Sequence, residues 1–228
     1  MKTMTKLMGA TLCAAVLAIA GFMFGRRGTD AREADRHAVE RLVVAERLYR
    51  SSHRDAELSD CYAPDAAIRT SWQRGGLSSF VGKAPAEAIA RPNVGRNGPP
   101  LVHLNGDRAF VELPCTTSRP VDVRGEEAVL TSYMRLLYRV ERRHGEWKIV
   151  AMTSLNECDA LAPAVPGRTL RIEPADLDGL RPSYRFLALV RRLAGGEANP
   201  DELGTDRPDE AARFYDGEFS WLAGTESP

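Results

Sequence analysis

VLTSYMRLLYRVERR (Val129–Arg143), HG (His144–Gly145) and EWKIVAMTSL (Glu146–Leu155) read as two β-forming runs joined by a tight turn. Both runs alternate apolar and polar residues, the period-two pattern of half-buried strands, and the glycine marks the hairpin turn. With His144-Gly145 as a two-residue turn, Val140 pairs with Ile149, Tyr138 with Ala151, Leu136 with Thr153 and Met134 with Leu155. Trp147 joins these residues, and their bulk makes theirs the core face. The reverse face pairs Glu141 with Lys148, Arg135 with Ser154 and Tyr133 with Asn156, with Leu137 and Met152 between them. A polar face carrying Leu and Met suits half-solvation, a second copy of the chain, or a docked segment.

Outward from this hairpin, Asn105-Gly106 is flanked by Leu101–Leu104 and Asp107–Leu113, a second hairpin with a strong turn signal. Ala38, Val39, Leu42, Val43, Ala45 and Tyr49 fall at helical spacing and predict a helix from Asp30 to about Ser52. A short helix over Asp55–Tyr62, a strand over Ala66–Trp72, a turn at Gln73–Gly76 and a helix over Ala84–Ala90 follow. Asn93 to Pro100 is a Gly/Asn/Pro-rich loop. Downstream, Leu161–Gly167 reads as a linker, and Pro182–Leu193 and Pro208–Leu222 read as helices. Tyr184, Phe186, Phe214, Tyr215, Phe219 and Trp221 are their apolar anchors. That segment is too small for its own core, so it is expected to pack on the domain or on a second subunit. Helices first and long hairpins after predict an α+β fold: a curved antiparallel sheet packed on N-terminal helices, with a helical C-terminal extension. The divisions fall at residues 1–30, 31–160 and 161–228.

The 31 basic and 31 acidic residues leave no net field, so no nucleic-acid partner is expected. Lys2 and Lys6 precede an uncharged run, Leu7–Gly25, followed by Arg26 and Arg27. The run is long enough to cross a bilayer, and Ala18-Ile19-Ala20 offers a cleavage site. It reads as a membrane anchor or an export signal. A start codon assigned too early is the alternative, and leaves the protein in the cytoplasm. Cys13, Cys61, Cys115 and Cys158 stand too far apart for a metal knuckle or a C-x-x-C site, so buried thiols and no metal are expected, with one disulfide within the domain as the alternative. None of the four histidines has metal-ligand company, and His103 is expected in solvent, paired with Arg108 beside its hairpin tip. No phosphate-cradling, dinucleotide, serine-hydrolase or zinc-protease motif occurs, and no cofactor is expected.

Five local signs occur in order. They are Asp35-Arg-His-Ala-Val-Glu-Arg-Leu42, Tyr62-Ala-Pro-Asp-Ala-Ala-Ile68, Phe80-Val-Gly-Lys83, Gly106-Asp-Arg-Ala109 and Gly145-Glu-Trp-Lys-Ile149. Through them, about residues 33–160 resemble the SnoaL-like, nuclear-transport-factor-2-like (NTF2-like) superfamily. The resemblance implies a helix-lined cone closed by a bent sheet, often dimeric through the outer sheet face. It also implies cyclases, dehydratases, isomerases, epoxide hydrolases and non-enzymatic binders among its members, so the fold does not select a function. The dehydratase-type members tend to place a tyrosine and, five residues on, an aspartate in the first helix. The matching positions here are Glu46 and Ser51, and the expected His-His pair falls near Gly95 and Arg96. These departures speak against that Asp/His mechanism.

Glu46 is the outstanding candidate, because it interrupts the apolar stripe of the first helix. A carboxylate there must be neutralised, paired or wetted by a cavity. It is either a general base in an apolar pocket, or a carboxylate paired with a nearby arginine or turned slightly to reach water; if it is buried, Glu46→Leu is expected to stabilise the fold by removing a desolvation cost. Arg47 and Arg50 fall off the stripe. Tyr49, Tyr62, Trp72, Tyr138 and Thr153 are the candidate binding residues of the cone, offering apolar bodies with polar tips. The expected function is binding of a small hydrophobic molecule in the cone without chemistry. The alternative is a cofactor-independent lyase or isomerase acting on a hydrophobic ring-containing metabolite, with Glu46 as base and Tyr138 or Tyr49 as donor. A homodimer through the sheet face and a membrane contact through the N-terminus are the other expected partners.

Overall fold

A computed structural model describes residues 29–71, 73–82 and 93–225. Trp72, the expected helix over Ala84–Ala90 and the apolar run Leu7–Gly25 lie outside the described residues. Residues 1–38 and 39–228 form two units, and the described part of the first, residues 29–38, is helical. The second unit holds the sheet and every element named below.

Helix α1 (residues 39–51) buries Val39, Val43 and Glu46, one stripe at helical spacing. Helix α2 (Asp55–Asp60) is anchored by Leu58 and hands the chain to strand β1 (Tyr62–Thr70). The remaining strands are β2 (Gln73–Gly76), β3 (Val94–Asn97), β4 (Leu101–Asn105), β5 (Arg108–Val123), β6 (Glu126–Arg143) and β7 (Glu146–Pro163). They form one sheet in the order β2-β1-β7-β6-β5-β3, with β4 also paired to β5. The fold is the expected α+β cone, with departures in its elements; β1 begins at Tyr62, four residues before the expected strand. β1 runs parallel to β7, so the sheet is mixed rather than wholly antiparallel. The expected turn at Gln73–Gly76 is strand β2, and part of the expected loop from Asn93 to Pro100 is strand β3.

The long hairpins close through residues with left-handed backbone at both turn positions. They are Arg124 (φ 55°) and Gly125 (φ 85°) between β5 and β6, and His144 (φ 54°) and Gly145 (φ 84°) between β6 and β7. This geometry matches the twist of the flanking strands. In the first hairpin Asn105 pairs with Arg108, so the turn is Gly106-Asp107, one residue later than expected. His103 therefore faces Phe110 instead of Arg108.

Near the β6–β7 tip the register is the expected one, with Val140 opposite Ile149 and Glu141 opposite Lys148. Beyond it a bulge in β7 shifts the pairing, and Tyr138 faces Met152, Leu137 faces Thr153 and Leu136 faces Ser154. One extra residue turns the side chains that follow to the opposite face, as far as a second register shift between Tyr133 and Met134. Met152 thus joins the inner core with Tyr138, while Leu155 joins an outer cluster with Phe110 and Leu137. Thr153 and Leu155, expected inside, are outside.

The extension docks on this same sheet. β7 continues to Pro163, through residues expected to be linker. Val121, Val123, Ala128 and Leu130 pack against Tyr184, Leu187, Ala188 and Val190, the last three on helix α3 (Arg185–Leu193). The Asp159 carboxylate accepts from the Leu187 amide at 2.7 Å, holding the first turn of α3 in place. Helix α4 (Pro208–Ala223) lies on the outer face, where Phe110, Leu137 and Leu155 meet Ala211, Phe214, Tyr215 and Leu222. Leu137 is 2% exposed as a result, whereas Tyr133 on the same strand remains 41% exposed. At the sheet edge the buried Glu202 accepts from Arg69 (3.2 Å) and Arg74 (2.9 Å).

Candidate functional site

On the inner face of the sheet one carboxylate is enclosed by four donors. Glu46 is 0% exposed. The Tyr62 hydroxyl donates to its Oε1 at 2.9 Å and the Tyr138 hydroxyl to its Oε2 at 3.0 Å. Arg47 donates Nε to Oε2 and Nη2 to Oε1, a bidentate grip from the next residue in the helix. A carboxylate has about four lone-pair positions, and here each oxygen accepts twice. Met152 closes the cluster, its sulfur 3.5 Å from the Tyr62 hydroxyl and 3.9 Å from Arg47 Nη2.

The local sequence explains the convergence. Glu46 is on the inward stripe of α1, Tyr62 opens β1, and Tyr138 faces Met152 across the β6–β7 ladder. Arg47 is off the stripe by helical spacing, but its long side chain folds back and is only 14% exposed. Burial alone would lower its pKa; the Glu46 charge and hydrogen bond together with Tyr138 and Tyr62 outweigh that, so the net shift is well upward and the guanidinium stays charged. Burial, then the Glu46 charge, pushes the Tyr62 hydroxyl well above its usual range. Burial does the same for Tyr138, with Arg47 opposing and Glu46 assisting. Both tyrosines are thus held protonated, as donors. Behind Arg47, Arg50 stacks on the Phe80 ring at 3.7 Å and donates to the Phe80 carbonyl at 3.1 Å. Its pKa is lowered to about 10, chiefly by burial and then by Arg47.

The structure brings Glu46, Tyr62 and Tyr138 together and separates Tyr49 and Thr153 from them. Tyr49 packs at the margin of the same core, with the Arg54 guanidinium 4.5 Å from its ring centre. Thr153, placed outside by the bulge, lines a cleft of about 520 Å³ with Ala67, Arg69, Ala151 and Phe214. A smaller cleft of about 260 Å³ lies between Arg96, Pro114, Thr116, Tyr133 and Glu157. Glu46 lines neither. Arg47 and Met152 belong to the cluster although helical spacing and strand alternation place both elsewhere. The signal for Arg47 is indirect: a carboxylate in an apolar stripe demands a partner, and an arginine stands beside it.

His103 is half-buried, not solvated; it stacks on Phe110 with centroids 5.8 Å apart and meets Phe219 edge-on at 5.1 Å. Its Nε2 lies 3.2 Å from Glu112 Oε1, and Glu112 Oε2 accepts from Tyr215 at 2.7 Å. Cys61 and Cys115 are buried free thiols, as expected, whereas Cys158 is exposed. Burial pushes the Cys61 thiol up to about 11, which removes it as a nucleophile at neutral pH. Among the described residues no group of three or more His, Cys, Asp or Glu side chains could hold a metal ion.

A family model described as a SnoaL-like domain matches residues 31–153. A PEP2-like protein of Fusarium vanettenii is 24% identical over 208 residues, covering 84% of this chain and 89% of its own. A hexachlorocyclohexane dehydrochlorinase from Novosphingobium barchaimii has a TM-score of 0.48 and 14% identity, over 63% of this chain and 97% of its own. An NTF2-like protein with a cystatin-like fold, from Novosphingobium aromaticivorans, has a TM-score of 0.43 and 17% identity, over 54% and 82%.

Proposed function

The chain belongs to the SnoaL-like domain family, and we propose that within it this protein binds a small hydrophobic molecule on the inner face of its sheet without chemistry. The observation that carries this reading is the saturation of Glu46. A general base must offer a free lone pair to the proton it removes. Both Glu46 oxygens are already engaged by Arg47, Tyr62 and Tyr138. Binding is supported by the apolar character of the inner face, where Val111, Leu113, Leu136 and Met152 share one cluster with Tyr62 and Tyr138, and Tyr49 and Met134 at its margin are only partly buried. Native mass spectrometry of protein purified from its own host tests the reading. A co-purifying small molecule is expected; protein that is ligand-free from every preparation overturns it.

The lyase or isomerase reading keeps one observation in its favour: two tyrosine hydroxyls converge within 3.0 Å on one buried carboxylate. It requires turnover that disappears in Glu46→Gln. We also propose that the run Leu7–Gly25 tethers or exports the protein. Full-length chain is then expected in the membrane or outside the cytoplasm of its host, and intact chain confined to the cytosol would contradict it.

A further inference from the structure

Two buried hydroxyls on the inner face stand outside the Glu46 network. Ser154 is 2% and Thr70 7% exposed, and neither hydroxyl oxygen has a hydrogen-bond partner among the described residues. Native interiors satisfy nearly all such groups, because an unmade hydrogen bond away from water costs free energy. A single orphan can be tolerated; two side by side call for an explanation.

The parallel β1–β7 register pairs Ile68 with Met152 and Arg69 with Thr153 and ends there; Thr70 and Ser154 are the next residues on these two neighbouring strands. Each follows an inward residue by two positions, Ile68 and Met152 respectively, so both point into the inner face. The bulge in β7 creates this arrangement: it turns Thr153 outward and Ser154 inward, opposite Leu136 of β6. Two residues along a strand are about 6.6 Å. The hydroxyl pair therefore lies one step along the sheet from Met152, whose sulfur is 3.5 Å from the Tyr62 hydroxyl. Ile68, Leu136 and Met152 around the pair are apolar, and the Glu46–Arg47 pair one step away is internally neutral.

We propose that Thr70 and Ser154 form the polar end of the ligand site and receive one neutral hydrogen-bonding group, a ketone or an alcohol, of an otherwise apolar molecule. Two adjacent hydroxyls can both donate to a carbonyl oxygen, or exchange donor and acceptor with an alcohol. A carboxylate or an ammonium group would be desolvated here without a countercharge. The assignment rests on the binding reading above, and narrows its ligand from any apolar molecule to an apolar ketone or alcohol.

A matched pair of probes, 1-naphthol and naphthalene, tests it by fluorescence titration of the full chain, of Thr70→Val/Ser154→Ala, and of each single variant. Wild type is expected to prefer 1-naphthol by about tenfold or more, since a site built to hydrogen-bond a hydroxyl discriminates against the analogue lacking it. The double variant is expected to bind both equally, with naphthalene affinity unchanged. Equal affinities in wild type, or a preference that survives in the double variant, overturn the assignment and leave the binding reading standing. Failure of both probes to bind overturns both. A melting curve keeps a structural role distinguishable. If the hydroxyls serve the ligand, the variants melt at or above wild type; a fall of several degrees shows that they serve the fold, and overturns the assignment.

Discussion

On the inner face of the sheet, Glu46 is held by the buried Tyr62 and Tyr138 and by Arg47, whose side chain is only 14% exposed. On the outer side, the buried Glu202 and Glu218 are held by arginines that reach solvent: the Arg69, Arg74 and Arg139 side chains are 38%, 48% and 25% exposed. The difference lies in what happens when a partner is removed. Water can replace the carboxylate for a half-exposed arginine, but not for a guanidinium enclosed with its partner. Inner-face electrostatics is therefore all-or-none, whereas the outer face is held by many replaceable contacts over a large apolar area.

Removing that area is the largest perturbation. Truncation after Pro166 strips α3 and α4 from the sheet and uncovers Phe110, Leu137, Leu155 and the Val121–Leu130 cluster. Burying four large apolar side chains contributes on the order of 6–12 kcal/mol before entropy, comparable with the whole stability of a domain. Aggregation or loss of the cooperative melting transition is expected. A truncated chain that melts like the full one, with residues 182–222 unprotected in hydrogen exchange, would show the docking to be dispensable.

Glu46→Leu comes next. Were Glu46 an unpaired carboxylate, the change would stabilise the fold; because it is paired, the change leaves the Arg47 guanidinium uncompensated, at a cost of roughly 3–5 kcal/mol. Denaturant unfolding should show that loss in the single variant and recovery of most of it in Glu46→Leu/Arg47→Met. Additive losses would dissolve the inner pair. On the outer face Glu202→Gln, leaving Arg69 and Arg74 their water, should cost only about 1–2 kcal/mol. A larger loss than that of Glu46→Leu would reverse the comparison.

The smallest effect is a pH dependence at Asp206. Burial would raise its pKa, but hydrogen bonds from Arg181 and Ser183 more than compensate, so the folded value lies below the unfolded one near 3.9. Its contribution is complete above about pH 4 and is lost as pH falls through the folded value. Asp206→Asn should therefore flatten the acid limb of the stability curve by less than about 1 kcal/mol. An unchanged limb would show that the Asp206 contacts with Arg181 and Ser183 add nothing to stability.

Much of this is legible in the sequence because period and turn chemistry are local. Gly145 marks the central hairpin, and Pro208 opens α4 at a helical first-turn position. Glu46 stands out as a charge in an apolar stripe. The bulge does not, because Glu146–Leu155 contains no glycine or proline to mark an inserted residue, and alternation looks the same on either side of it. That one residue moves Thr153 out and Ser154 in. Arg47 escapes the pattern because helical spacing locates a Cα, not the end of a long side chain. The final strand resembles a linker because Ala160-Leu-Ala-Pro163 carries little strand propensity; pairing with Ala128–Thr131 decides it.

Native mass spectrometry of wild type and Glu46→Gln, expressed side by side in the host, tests the non-catalytic account most directly. The account predicts one and the same small molecule in both, identical in mass, because Glu46 holds a network and moves no proton of the ligand. Bound molecules that differ between the two by a leaving group such as water, with the heavier one accumulating in Glu46→Gln, would contradict it and make Glu46 the base of a lyase.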